Sequence, residues 1–164
     1  KYIHKILEDK QDRLWIILEN GKLYRADKKG KLTKQIPGAE TLEAKDIRQD
    51  NKGNIYLATK NDGIYLLKAG STIFTKIAGI GNLPIDNIYI SRDQRLFIGC
   101  DGMGIFVYNP VTGFLQNNPL FSREVNLAKS KITSIIEDFT GNIWVSMLQK
   151  GVFAKRTSLW PKTI

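Results

Sequence analysis

One cysteine and one histidine among 164 residues close off several kinds of chemistry. Cys100 has no partner, so no intrachain disulfide can staple the fold. Its setting, Phe97-Ile98-Gly99-Cys100, reads as a strand end and favours a packed thiol over a reactive one. A Ser-His-Asp triad would have to be built on His4, which lies in the first apolar segment with nothing like a nucleophile elbow nearby. A structural or surface histidine is the better reading. There is no Cys/His cluster and no Asp-x-Asp-x-Asp loop, so no metal is expected and no cofactor either. Long hydrophobic runs are absent too. No stretch approaches the roughly 18 apolar residues that cross a membrane, and no membrane contact is expected. Lys1 opens no signal peptide. The chain starts inside an apparent strand, Tyr2-Ile3-His4-Lys5-Ile6-Leu7, and is expected to be a piece of something longer. A missing signal therefore says little about localisation.

Acids are scarce relative to bases, 16 against 25, which leaves a formal charge of +9. Such a balance can point to nucleic acid, an anionic membrane or acidic ligands. The excess is interrupted, however: residues 1–40 carry +4, 41–80 carry +2, 81–120 carry −1 and 121–164 carry +4. A solvated surface explains it as well as any specific partner does, and no nucleic acid is expected to bind. Glycine is the residue in good supply, with 14 against 5 prolines.

Those glycines recur, and the recurrence is the main signal. Four segments align: Ile6–Ile17, Ile47–Ala58, Ile88–Gly99 and Ile135–Ser146. Their shared aromatic position holds Trp15, Tyr56, Phe97 and Trp144, spaced 41, 41 and 47 residues apart. A period of about 40–45 residues is what a four-stranded propeller blade occupies. Each repeat parses alike. An alternating strand such as Ile132–Glu137 leads to a tight turn, Asp138-Phe139-Thr140-Gly141-Asn142. A nearly all-apolar strand follows, Ile143–Met147 in the last copy, expected to be central and buried on both faces. A short loop reaches a recurring glycine, Gly21, Gly63, Gly104 or Gly151. Third strands follow at Leu23–Arg25, Ile64–Leu67, Ile105–Tyr108 and Val152–Ala154, and weaker outer strands at Leu32–Ile36, Ile73–Ile77, Phe114–Gln116 and Leu159–Ile164. No amphipathic helix of three turns is legible. The fold expected is all-β: one segment of four tandem four-stranded β-propeller blades, approximately 1–40, 41–81, 82–122 and 123–164, cut from a larger propeller.

A residue repeated in every blade is there to build the blade. Asp9, Asp50 and Asp138 share one register, with Ser91 in the third copy, and such side chains bond the N–H groups of a following turn. Trp15, Tyr56, Phe97 and Trp144 are expected to pack blade on blade. Gly21, Gly63, Gly104 and Gly151 supply positive φ or a close approach.

The pattern of Ser134–Trp144 leading to Gly151-Val152-Phe153 resembles the two-component regulator propeller repeat, and Gly81–Ile88 looks like that family's linker into a new blade. The likeness covers nearly the whole chain. Departures are Asp12 and Gln94 at the turn glycine, Ser91 at the acidic position, and a first copy one residue short before Gly21. The resemblance implies a periplasmic sensor region of a hybrid two-component system, of the kind found in gut Bacteroidetes. Such regions carry more blades than four and are followed by a membrane helix, a histidine kinase and a DNA-binding regulator. It further implies an oligosaccharide ligand, a homodimer formed through the parent receptor, and no catalysis in this segment.

Function should sit where the repeats differ. In propellers the loops between second and third strands share one face with the blade-to-blade connections. That makes Asn20, Lys60, Asn61, Asp101, Met103, Gln149 and Lys150 the binding candidates, polar groups with an occasional apolar surface that suit a sugar. The positive excess leans the ligand towards an anionic glycan. Trp160 lies outside the aromatic register and could stack on a sugar, although packing at the edge of the outer strand is the better reading. Gly99–Gly104 is glycine-rich in the wrong order for a nucleotide motif. Paired carboxylates for glycoside cleavage would need two acids about 5–10 Å apart, yet most acids here belong to the repeated turns. The competing reading is a protein-interaction or dimerisation scaffold, because unpaired sheet edges invite another chain.

Overall fold

The structure, a computed structural model, describes residues 2–117 and 130–156. The fourth strand expected at 159–164, Trp160 and the blade boundary at 122/123 lie outside the described residues. Where the sequence alternates apolar and polar residues between turn signals, strands form, and no helix occurs among the described residues. The first sheet holds β1 (Ile3–Glu8), β2 (Leu14–Leu18), β3 (Leu23–Ala26) and β4 (Leu32–Thr33). The second holds β5 (Ala44–Gln49), β6 (Ile55–Thr59), β7 (Ile64–Leu67) and β8 (Thr75–Lys76). The third holds β9 (Ile85–Ile90), β10 (Leu96–Cys100), β11 (Gly104–Asn109) and β12 (Phe114–Asn117). The fourth holds β13 (Ile132–Glu137), β14 (Asn142–Met147) and β15 (Gly151–Arg156). Strands neighbour one another in chain order within every sheet, as hairpin-linked meanders do. The outer strands β4 and β8 are two residues each, shorter than the sequence pattern suggests.

The chain divides into two compact units, Lys1–Ile85 and Asp86–Ile164. In the first unit, cross-strand pairing places Leu7, Trp15 and Arg25 in one row and Lys5, Ile17 and Leu23 in the next. This face of the first sheet packs on Ile47, Ile55, Leu57 and Leu67 of the second, with Phe74 edge-on to Trp15 at 5.7 Å. The second unit repeats the design. Phe97, Ile105 and Val107 of the third sheet pack on Ile132, Ile135, Ile143, Val145 and Met147 of the fourth. Each such side chain, fully buried, contributes about 1.5–3 kcal/mol of transfer free energy.

Strands β6 and β10 are buried at every residue, as their unbroken apolar runs require. Strand β14 departs from that expectation. Its burial alternates, and Trp144 stands partly exposed where Trp15, Tyr56 and Phe97 are buried. The reason is local: one face of the fourth sheet packs on the third, and the face that carries Trp144 is open.

Candidate functional site

The candidate residues ride on the loops between second and third strands, and the turns at the other end of each hairpin hold those strands in register. Asp9 shows how. Its Oδ1 accepts the Gln11 and Arg13 amides at 2.9 and 3.1 Å, while Oδ2 accepts Arg13 Nε and Trp15 Nε1, both at 2.7 Å. Asp50 takes the Lys52 and Asn54 amides and the Asn54 side chain. Asp138 takes the Thr140 and Asn142 amides, and its Oδ2 accepts Trp144 Nε1 at 2.8 Å. At Ser91 the hydroxyl accepts the Arg95 amide at 3.1 Å instead. The repeated acids are committed to turns. The glycines of the opposite loops all have positive φ: +76° at Gly21, +72° at Gly63, +82° at Gly104 and +87° at Gly151.

In the first, second and fourth repeats those opposite loops lie against the chain entering the repeat. The first loop residue donates its amide backwards, Glu19 to Tyr2 O at 3.1 Å, Lys60 to Glu43 O at 2.9 Å and Leu148 to Lys131 O at 3.0 Å. In the first unit, Asn20 is exposed and accepts the Lys22 amide at 3.3 Å, as a turn residue does. Lys60 and Asn61 are exposed, and Lys60 Nζ sits 3.0 Å from Glu43 Oε1. Beside them is a polar cluster that the repeat pattern did not single out. Asp62 accepts the Tyr65 hydroxyl at 2.6 Å and the Lys76 ammonium, and Lys76 also donates to Asn82 Oδ1 at 2.7 Å. Lys76, with Tyr65 second, holds the Asp62 carboxyl below its usual range, and the same carboxylate pushes the Tyr65 phenol up to about 12. The one legible signal was that Asp62 shares the non-repeated loop with Lys60 and Asn61; Lys76 and Asn82 are distant in sequence, and only the folded chain brings them in.

In the second unit, Asp101, Met103, Gln149 and Lys150 are all exposed on loop tips. Gln149 adopts φ +63°, and the Lys150 amide bonds Met147 O at 3.3 Å. Cys100 is fully buried, and burial, then the Asp86 charge, pushes its thiol up to about 12. It is no nucleophile at neutral pH. Among the described residues, no group of three or more His, Cys, Asp or Glu side chains could hold a metal.

The electrostatics bear on catalysis. The fold moves the carboxyls of Asp9, Asp62, Asp93 and Asp138 below their usual range. Glycoside cleavage needs a carboxylic acid held protonated near neutrality, the opposite shift. None of these four can supply it. What the loops do offer is paired donors and acceptors at the surface, the chemistry that binds hydroxylated ligands.

No protein-family model and no curated protein matches the sequence. Solved structures share its fold. The extracellular domain of a hybrid two-component system from B. thetaiotaomicron aligns with a TM-score of 0.73 over 95% of the chain, at 20% identity. A second such domain from the same organism gives 0.71 over 95% of the chain at 18% identity. Virginiamycin B lyase from Staphylococcus aureus gives 0.66 over 94% of the chain at 14% identity, with 55% of the lyase covered. The chain spans about a fifth of the length of the two extracellular domains, 23% and 20%. Its tandem antiparallel sheets are therefore β-propeller blades, in the fold of the extracellular domains of Bacteroides hybrid two-component systems.

Proposed function

We propose that this chain is part of the extracytoplasmic sensor region of a hybrid two-component regulator, facing the periplasm, where it recognises a glycan-derived oligosaccharide or relays its binding. The observation that carries the reading is the fold shared over 95% of the chain with extracellular domains of such systems. Two further features support it. The repeated acids are committed to turns, so chemistry is left to the loops. Those loops carry exposed Asn, Lys, Asp and Gln side chains that can exchange hydrogen bonds with sugar hydroxyls. The net charge of +9 favours an acidic glycan over a neutral one. The kinase and DNA-binding functions belong to other parts of the parent receptor, which acts as a homodimer.

The test is calorimetry and thermal shift on the chain with a panel of acidic and neutral oligosaccharides. An acidic member should bind and raise the melting temperature, with affinity about tenfold weaker for Lys60→Ala, the effect of removing one charged contact. No heat and no shift with any class would remove oligosaccharide recognition from this segment and leave the scaffold reading.

A further inference from the structure

The loops between second and third strands share a plan, and the second repeat departs from it. Three residues beyond the repeated aromatic position, the other repeats bury Leu18, Cys100 and Met147. The second repeat buries Thr59 there, at 1% exposed. The Thr59 hydroxyl donates to Gly63 O at 2.8 Å and accepts the Asp62 amide at 3.0 Å. The Thr59 amide bonds Gly63 O as well, at 3.0 Å. Gly63 lies so close to Gly81 O that no side chain fits between them. Buried Thr59 and the Gly63–Gly81 contact thus brace the loop that carries Asp62.

Asp62 also breaks the repeat, since Asn20, Met103 and Lys150 precede the corresponding glycines. Tyr65 does not: it matches Tyr24, Phe106 and Phe153 in cross-strand register, so its ring belongs to the blade and only its hydroxyl serves the cluster. Lys76, opposite Tyr65 on β8, bonds both Asp62 and Asn82. The same strand pairs form in the other repeats without this cluster, so the sheet does not require it.

The cluster keeps unused capacity at the surface. The Asp62 and Lys76 side chains are 44% and 38% exposed. A carboxylate has about four acceptor positions, and Tyr65 and Lys76 take two of those on Asp62. An ammonium has three donors, and Asp62 and Asn82 take two of those on Lys76. Asn82 is exposed and gives its carbonyl to Lys76, which leaves its amide N–H groups for a ligand.

We propose that Asp62, Lys76 and Asn82 form a binding site for two adjacent hydroxyls of a sugar ring. One hydroxyl donates to Asp62, and its neighbour accepts from the Asn82 amide and the remaining Lys76 N–H. Donors and acceptors side by side match a diol, in which each oxygen can both give and take. Asp62 and Lys76 neutralise each other, so recognition depends on the hydroxyls and not on the charge of the sugar. The Thr59 brace and the bonds from Tyr65 and Lys76 fix the carboxylate before a ligand arrives, which lowers the ordering cost of binding. This site rests on the oligosaccharide reading above and names the group recognised.

Amide-resolved nuclear magnetic resonance on the whole 164-residue chain tests it, with hexamers of glucose, mannose, xylose and galacturonic acid as probes. Each is added to about 10 mM, enough to reveal millimolar affinity. A hexamer that binds should shift the side-chain amides of Asn82 and Asn61 and the backbone amides of residues 60–63. Asp62→Asn and Asn82→Ala change surface side chains, so both should keep the wild-type far-ultraviolet dichroism. Asp62→Asn should weaken binding about tenfold, as loss of a hydrogen bond to a charged group does, and Asn82→Ala about threefold or more. Shifts confined to other loops overturn the site and leave the oligosaccharide reading standing. So do folded Asp62→Asn and Asn82→Ala chains that both bind at wild-type strength. Galacturonic acid binding undiminished in Asp62→Asn but lost in Lys60→Ala would move recognition to Lys60 and overturn the site likewise. If no hexamer shifts any amide, the reading and the site fall together.

Discussion

A carboxylate just before a tight turn can accept from several N–H groups at once, and Asp9 accepts four hydrogen bonds, one from the buried Trp15 indole. Burial pushes its carboxyl up, but the Trp15 bond and the others together bring it below the usual range. Asp138 is held well below that range too, first by the Trp144 indole. A carboxyl whose folded value is depressed stabilises the fold above its unfolded value, about 3.9, and loses that contribution as pH falls through the folded value. Unfolding free energy from urea titrations should thus be nearly flat from pH 7 to 5 and decline below about pH 4. Asp9→Asn replaces the Oδ2 acceptor with an amide that cannot take the indole hydrogen, at a cost of about 2 kcal/mol and with a shallower acid slope. Gln94 takes the turn position that Gly53 and Gly141 take elsewhere, at φ +65°, where a Cβ is strained. Gln94→Gly should stabilise the chain by about 0.5–1 kcal/mol, read as a higher urea midpoint at unchanged slope.

At the scale of strands and loops, the aromatic period and the turn signals located the first three strands of each repeat, and the observed β7 and β13 match the apolar spans residue for residue. The outer strands were less legible. Strand β4 spans only Leu32–Thr33 and β8 only Thr75–Lys76, and no periodicity shows over two residues. Strand β14 looked central by composition, yet whether an apolar strand is buried on both faces depends on which sheet lies against it. Loop packing was equally hidden. A Cβ added at Gly63 would stand 2.2 Å from Gly81 O, a backbone atom with no room to yield, and its φ is +72°. Gly63→Ala therefore meets two penalties together and should destabilise by about 2–4 kcal/mol, visible as a fall of several degrees in melting temperature. It would also disturb the neighbouring Asp62–Tyr65–Lys76 cluster.

For the molecule as a whole, the surplus charge matters most. Many cations are already matched: Lys5 with Asp46, Lys60 with Glu43, Lys131 with Asp86 and Arg13 with Asp9. The formal +9 is the excess left once every acid is counted, and salt screens it over about 8–10 Å. The sequence by itself determined the repeat, its strand order and the commitment of Asp9, Asp50 and Asp138 to turns, because all of these depend on residues within about ten positions of one another. Only the tertiary structure decided which apolar face each sheet buries, that Lys76 and Asn82 join Asp62, and that Trp144 stays open while Trp15 and Phe97 do not. The burial outcomes depend on which sheet packs against which and so join residues of different repeats, while the Asp62 cluster closes across the 14 positions to Lys76, both beyond the reach of a local pattern.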